Sequence, residues 1–386
     1  MSRTLVVAHG SAELYGSDLQ LVESVRAALA DGWDALVVLP VGGPLVERLA
    51  DVGARVRVAP VPVLRKSLLR PRALPGLAWG SLRAVVETVR LLRRERADAV
   101  YVNTVTVPTW LAAARLARVP ALCHVHEAED GLPRLVAALL TAPVLLARTV
   151  VTNSEAARRS LGAAYGSLSA RAQVVHNGVT GPPAAPQPSG EHDGPLRLAL
   201  VGRLSPRKGT DVALDAVGLL AAEGRDVRLR VAGSTFPGYE WFEEQLRARA
   251  AAADLAGRVD LLGFVHPTWP VLADADVVLI PSRVEPFGNT AVEALLARRP
   301  VVASRTQGLA EIVRDGVTGL LVEPGDAAAL AAAVARLVDD PGLRERLAAD
   351  GRSDAAARFG TDRYAADVQR LLRELVGVPA AAPAPA

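Results

Sequence analysis

Residues 196–217 read "LRLALVGRLSPRKGTDVALDAV", and this stretch decides the fold. A short apolar run ends at Gly202, a polar turn follows, and a helical pattern begins near Thr210 after Gly209. Short apolar runs that stop at turn residues are the mark of buried parallel strands. The strand–turn–helix unit then repeats downstream, with apolar runs in "VRLRVAGS" (227–234), "RVDLLGFV" (258–265), "ADVVLIPS" (275–282), "PVVAS" (300–304) and "TGLLVEP" (318–324). Immediately before it, "TGPPAAPQPSGEHDGP" (180–195) has no periodicity and reads as a linker.

Upstream of the linker the same alternation runs through "TLVVAH" (4–9), "ALVVLPV" (35–41), "RVRVAPV" (55–61), "AVYVNT" (99–104), "ALCHVH" (121–126), "TVVTNS" (149–154) and "AQVVHNG" (172–178). Helical stretches such as 19–32 and 80–96 lie between these runs. Alternation of this kind predicts doubly wound α/β domains. A chain of 386 residues is also too long for one ordinary core. The expected organisation is a first domain over 1–180, a linker over 181–195 and a second domain over 196–360. A helix over 361–377 is expected to return to the first domain, followed by a Pro/Ala-rich tail over 378–386. Ligands of such sheets bind outside the carboxyl ends of the strands, so two such edges are expected to face a common cleft.

Half of the residues are hydrophobic and 22% are charged, as in ordinary globular proteins. The single cysteine, Cys123, excludes an intramolecular disulfide and a cysteine-based zinc cluster. "TLVVA" (4–8) is too short for the apolar core of a secretory signal, so none is expected. "LVAALLTAPVLLA" (135–147) contains Pro143, falls short of the ~20 residues needed to span a bilayer, and reads as buried helix and strand. These features fit a cytoplasmic protein.

The net charge of +3 conceals an asymmetry. Residues 1–193 carry 21 Lys and Arg against 16 Asp and Glu, whereas the rest carry 23 against 25. Arg57, Arg65, Lys66, Arg70, Arg72, Arg83, Arg90, Arg93, Arg94 and Arg96 face only Glu87 and Glu95. Residues 57–96 are therefore a candidate surface for peripheral docking to an anionic membrane on its inner face, where each basic residue adds ~1 kcal/mol. A solvated helix face explains them equally well. Nucleic-acid binding is disfavoured, because Trp79 is the one aromatic residue there and no recognised module is present.

The turn over 202–210 is rich in chemistry. A helix N-terminus favours phosphate, and Arg203 and Lys208 add two charges. Only Lys66 and Lys208 are lysines in a chain of 44 basic residues. That bias favours a phosphate-binding Lys208 over an incidental one, although a solvated turn is the competing reading. The order Lys-Gly-Thr is not a Walker A loop. Further on, "PSRVEPFGNTAVEALLARRP" (281–300) holds Glu285 and Glu293 around Phe287, Gly288 and Asn289. Paired carboxylates raise the possibility of glycoside hydrolysis. Thr290 and Glu293 also fit a capping box, which would make Glu293 a structural residue. Glu285 is expected in a loop at a strand exit, with the amides of 287–290 pointing at an anion.

In "ALCHVHEAED" (121–130), His124 and His126 share one side of a strand, and His126 lies nearer its end. A satisfied core histidine is the alternative for either one. Glu127, Glu129 and Asp130 could meet a polyhydroxylated or cationic acceptor or form a solvated run. "HVHE" lacks a spaced third ligand, so no metal is expected.

The segment Glu285-Pro-Phe-Gly-Asn-Thr-Ala-Val-Glu293 resembles the Glu-x7-Glu motif of retaining family 4 glycosyltransferases with the GT-B fold. "VVHNGV" (174–179), "VGRLSPRKG" (201–209), "LLGFV" (261–265) and "QGLAEIVRDGVTGLLVEPGD" (307–326) resemble that family in order. The resemblance covers essentially 1–377 and implies two Rossmann-like domains facing an interdomain cleft. It implies that Arg203 and Lys208, beside Gly202, bind the donor diphosphate. Glu293 would hold the ribose hydroxyls and Glu285 those of the sugar. Amides of Phe287, Gly288 and Asn289, with Thr290, would hold sugar and phosphate, and the backbone at Phe264 and Val265 would meet the base. Gly16 would approach the diphosphate from the first domain, and His126 would be its functional histidine. The family more often has paired glycines where this chain has Tyr15-Gly16 and Gln307-Gly308.

The implied reaction moves a hexosyl group, with retention, from a nucleotide sugar (UDP- or GDP-linked) to an acceptor hydroxyl, without metal or other cofactor. Cell-envelope polysaccharide, glycolipid and natural-product glycoside synthesis are the settings it suggests. The rival readings are a GT-B nucleotide-sugar epimerase and a non-catalytic basic membrane- or nucleic-acid-binding protein. Base, sugar, acceptor and oligomeric state are left open by the sequence.

Overall fold

The computed structural model describes residues 2–63, 74–128, 133–189 and 194–378. Arg65, Lys66, Arg70 and Arg72, together with Glu129, Asp130 and the 379–386 tail, lie outside the described residues. The chain divides into two compact units, one comprising Met1–Gly178 with Thr361–Ala386 and the other Val179–Gly360.

In the first unit seven strands form one parallel sheet. They are β1 (Arg3–Ala8), β2 (Trp33–Leu39), β3 (Arg55–Val58), β4 (Ala99–Val102), β5 (Ala121–Val125), β6 (Thr149–Thr152) and β7 (Ala172–Val174), in the order β3-β2-β1-β4-β5-β6-β7. Side chains alternate across a strand, and the core divides accordingly. Leu5, Val7, Val37, Tyr101 and Leu122 pack on one face with Leu21 and Val25 of helix Gly16–Ala30 and with Tyr364, Val368 and Leu372. Val6, Ala8, Val38, Val100, Val102 and Cys123 pack on the other with Leu92, Trp110 and Leu111. The helix Thr361–Leu375 thus completes the first unit's core, and the Tyr364 hydroxyl lies 2.6 Å from Ser24 Oγ.

The second unit has a six-stranded parallel sheet of β8 (Leu196–Val201), β9 (Val227–Ala232), β10 (Val259–Gly263), β11 (Val277–Ile280), β12 (Val301–Ser304) and β13 (Leu320–Val322), ordered β10-β9-β8-β11-β12-β13. Leu198, Leu200, Val231 and Leu279 face the helices Thr210–Ala222 and Ala327–Asp339. Ala199, Val278, Ile280 and Ala303 face Val292 and Leu295 of helix Asn289–Leu296. Within 181–189 no helix or strand forms, and the Arg299 guanidinium donates to the Gln187 carbonyl at 2.7 Å.

Two sequence expectations are corrected. The 135–147 segment is a helix, Arg134–Thr141, running into a 3₁₀ turn, Ala142–Leu146, and no strand forms there. It is only partly buried, since Leu135 and Leu139 point largely to solvent while Val144 and Ala147 reach the core. Its apolar run reflects two buried anchors near its end and an exposed face. The second correction concerns Thr290. Helix Asn289–Leu296 is entered through Gly288, which has φ 119°, with no side-chain cap. Amides of Ala291 and Val292 turn back to the Gly288 carbonyl. Thr290 therefore lies inside the helix, and Glu293 is not the acid of a capping box.

Candidate functional site

In an open parallel sheet, neighbouring strands whose connections run to opposite sides leave a crevice at their carboxyl ends. In the second unit that point lies between β8 and β11, which are adjacent in the sheet. The residues that follow these two strands, 202–210 and 281–289, meet there.

Their packing is tight. Gly209 has φ 68°, and a Cβ built there would sit 1.9 Å from the Pro281 carbonyl oxygen. The Arg283 amide donates to the Arg207 carbonyl at 2.8 Å. The Arg283 guanidinium holds both carboxylate oxygens of Asp211, at 2.9 and 2.7 Å. This clamp sets the turn against the loop and brings Lys208 Nζ into an ion pair with Glu285. Glu285 is buried and also accepts from Ser282 Oγ at 3.2 Å. Lys208, Ser282 and Thr290 line a small cavity under the helix entry. Sequence reasoning named Lys208, Glu285 and Thr290 and missed Ser282, Arg283 and Asp211. The signal for Ser282 was its place in the Pro-Ser turn after an apolar strand.

Glu293 sits one helical turn further on. Thr268 Oγ1 is 3.5 Å from its carboxylate, and burial pushes its pKa up to about 7 against smaller opposing effects of Thr268 and Lys208. A carboxylate held near neutrality with few protein donors is ready to accept hydroxyl hydrogen bonds. Arg203 lies with its guanidinium carbon 3.1 Å from the centre of the Phe236 ring, a cation–π stack that fixes its direction. Phe287 buries its ring edge-to-face on Phe359, so only its backbone can serve a ligand. Phe264, beyond the end of β10, is more than half exposed, and Val265 is half-buried.

In the first unit the corresponding point lies between β1 and β4. His9 and Asn103 follow these strands, and the Asn103 amide donates to the Ala8 carbonyl at 3.0 Å. His9 Nε2 is 2.7 Å from Asp18 Oδ1, and both residues are buried. The other Asp18 oxygen accepts from the Tyr15 amide at 2.9 Å, which fixes the turn that leads into Gly16 at the start of the helix. Asn103 Nδ2 lies 3.2 Å from His9 Nδ1 and from the Ser17 carbonyl, and Asn103 Oδ1 lies 2.9 Å from His126 Nε2. His126 is half-buried, and its pKa is lowered well below the usual range by burial, with His124 and His9 adding to the effect.

His124 is a core residue. Its Nδ1 is 2.7 Å from the Tyr101 hydroxyl, and burial lowers its pKa to about 3. Glu127 bonds Thr104 Oγ1 and the His126 amide, while burial raises its pKa. The structure thus separates the two histidines and adds three residues, His9, Asp18 and Asn103, that sequence reasoning had not singled out. A polar residue closing each of the two central strands was the available signal.

Comparison with known proteins gives the family. Residues 183–354 match the family described as glycosyl transferases group 1, and residues 16–180 match glycosyltransferase family 4. The chain is 32% identical over 365 residues to 2-deoxystreptamine glucosyltransferase of Streptomyces kanamyceticus, covering 85% of this chain and 91% of the relative. Alpha-D-kanosaminyltransferase of the same organism is 34% identical over 188 residues, 48% of this chain and about half, 47%, of its own length. The fold matches that of Anabaena HepE in complex with UDP and glucose, with a TM-score of 0.79 at 24% identity over 97% of this chain and 99% of that one. With two parallel α/β units of the GT-B type, the chain belongs to glycosyltransferase family 4.

Proposed function

We propose that this chain is a retaining glycosyltransferase that moves a hexosyl group from a nucleotide sugar to an acceptor hydroxyl. The observation that carries the reading is the clamped pairing of Lys208 with Glu285 at the β8/β11 switch point, beside a helix entered through Gly288. The departing diphosphate develops negative charge, which Lys208, Arg203 and the amides at that helix start stabilise. Glu285 binds sugar hydroxyls and Glu293 the ribose, while the backbone at Phe264 and Val265 meets the base. The leaving phosphate accepts the acceptor's proton on the same face, which retains configuration. Gly16 and His126 serve the substrates from the first unit.

A UDP-sugar is the first donor to test, because HepE, whose fold is shared, holds UDP and glucose. Aminocyclitols are the first acceptors, since the relative matched over most of its length is named for 2-deoxystreptamine. Melting the protein with UDP-, GDP-, ADP- and dTDP-sugars ranks the donors, because a ligand of the folded state alone raises the midpoint. UDP release that depends on added acceptor supports transfer. Isomerised sugar nucleotide formed without acceptor would establish the epimerase instead.

Peripheral membrane association is favoured by one helix, Leu74–Arg94. It exposes Trp79, Leu82 and Val86 alongside Arg83, Arg90 and Arg93, while Ala84 and Leu92 turn inward. Apolar anchors interleaved with arginines suit an anionic bilayer surface. No helix among the described residues is long and apolar enough to cross a membrane. Co-sedimentation with phosphatidylglycerol vesicles should be lost in high salt and weakened by Trp79→Ala; no sedimentation in low salt refutes docking.

A further inference from the structure

The hydrogen bonds around Asn103 leave one consistent assignment of protons. The Ser17 carbonyl can only accept, so the Asn103 atom facing it at 3.2 Å is the NH₂ nitrogen. That fixes the amide, and its Oδ1 faces His126 Nε2 at 2.9 Å. An amide oxygen can only accept, so His126 Nε2 carries a proton. The second amide hydrogen points at His9 Nδ1, which must therefore present its lone pair. His9 Nε2 in turn donates to the Asp18 carboxylate. Every link from Asp18 to His126 is satisfied by neutral imidazoles in a single tautomer. Reversing any one of them sets donor against donor or acceptor against acceptor.

The far end of this chain is His126 Nδ1. In a neutral Nε2–H imidazole it is a bare acceptor, and among the described residues it has no protein hydrogen-bond partner although it is buried. Its neighbours from packed elements are His124, whose ring centre is 4.1 Å away, and the His9 and Asn103 side chains. The near end is equally informative. Asp18 also holds the Tyr15 amide, and Asn103 also holds the Ser17 carbonyl, so the chain ties the Tyr15–Ser17 turn to His126.

We propose that Asp18, His9 and Asn103 are positioning residues that lock His126 in the Nε2–H tautomer, so that Nδ1 accepts a hydrogen bond from a substrate hydroxyl. The substrate contact rests on the reading of His126 given above; the tautomer lock stands on its own. Histidines free to choose divide between two tautomers, and one that must accept loses part of its population to the wrong form. The lock removes that loss and ties His126 to the Tyr15–Ser17 turn.

The test uses the full chain labelled with ¹⁵N at its six histidines, assigned with His126→Gln. Two-bond ¹H–¹⁵N correlation spectra distinguish protonated from bare ring nitrogens. The expected result is a protonated Nε2 and a bare Nδ1 on His126, and the same pattern on His9. Asn103→Ala should move the His126 nitrogens toward averaged shifts as both tautomers become populated. Asp18→Asn, which alters no group bonded to His126, should shift the His9 nitrogens and raise the Nδ1–H share of His126. A wild-type His126 protonated at Nδ1, or tautomers unaltered by both substitutions, overturns the lock. Loss of stability in the variants with the wild-type tautomer retained does so too. Addition of UDP-glucose separates the two claims: a shift of His126 Nδ1 supports the substrate contact, and a static signal overturns that contact while leaving the tautomer result intact.

Discussion

Replacing Glu293 with Gln tests the donor site through two observables of opposite sign. Burial raises the folded-state pKa of Glu293 from the ordinary 4.5 to about 7. Each unit of such a shift corresponds to about 1.4 kcal/mol, so complete burial would cost roughly 3 kcal/mol at a pH above the folded pKa. The residue is half-buried, and solvent screening lowers this to about 1–2 kcal/mol. Because the folded pKa is raised, the stabilising contribution is complete below pH 4.5 and disappears as pH rises through about 7. Gln cannot ionise. Urea denaturation of the ligand-free chain should therefore show the variant gaining about 1–2 kcal/mol on wild type between pH 4.5 and pH 8. UDP binding should move the other way. An ionised carboxylate accepts ribose hydroxyls better than an amide, so wild-type affinity should rise through the same window and the variant should bind more weakly without that rise. The titration of UDP itself is common to both proteins and cancels in the difference. Parallel stability curves would refute the burial argument, and equal affinities would remove Glu293 from the ribose site.

Lys208→Met should weaken nucleotide-sugar binding and destabilise the second unit by about 1–3 kcal/mol, because it strands the buried Glu285 carboxylate. Adding Glu285→Gln should return much of that stability but none of the binding, a coupling read from a double-mutant denaturation cycle. Gly209→Ala forces a left-handed backbone and a Cβ into the Pro281 carbonyl, so the clamp must open; calorimetry should record at least a tenfold loss of UDP affinity. Tyr364→Phe deletes the hydroxyl packed 2.6 Å from Ser24 and should cost about 1 kcal/mol in denaturation without altering UDP binding.

The architecture was legible because its signals are local. Runs such as "LVVA" (5–8) and "VVLI" are apolar at every position, as strands covered on both faces must be, and the residues that end them are the candidate site residues. Lys208 and Glu285 could be named individually from the turn chemistry around them. Where local patterns were ambiguous, the sequence misled. Thr290 and Glu293 have the spacing of a capping box, yet the helix begins two residues earlier, through a glycine in a left-handed conformation. The 135–147 segment is apolar enough for a core, but no neighbouring element among the described residues covers Leu135 and Leu139.

By itself, then, the sequence determined two parallel α/β units and the chemical types gathered at their strand ends. These follow from periodicity and turn preference over a few residues. Tertiary structure alone decided that Lys208 meets a carboxylate 77 positions away, that Glu293 is half-buried beside Thr268, and that His124 is core while His126 ends a hydrogen-bonded chain. Asn103 lies 94 residues from His9 and 23 from His126. Only the parallel order that seats β4 between β1 and β5 brings the three together, and that order arises from the packing of whole elements rather than from any stretch of chain.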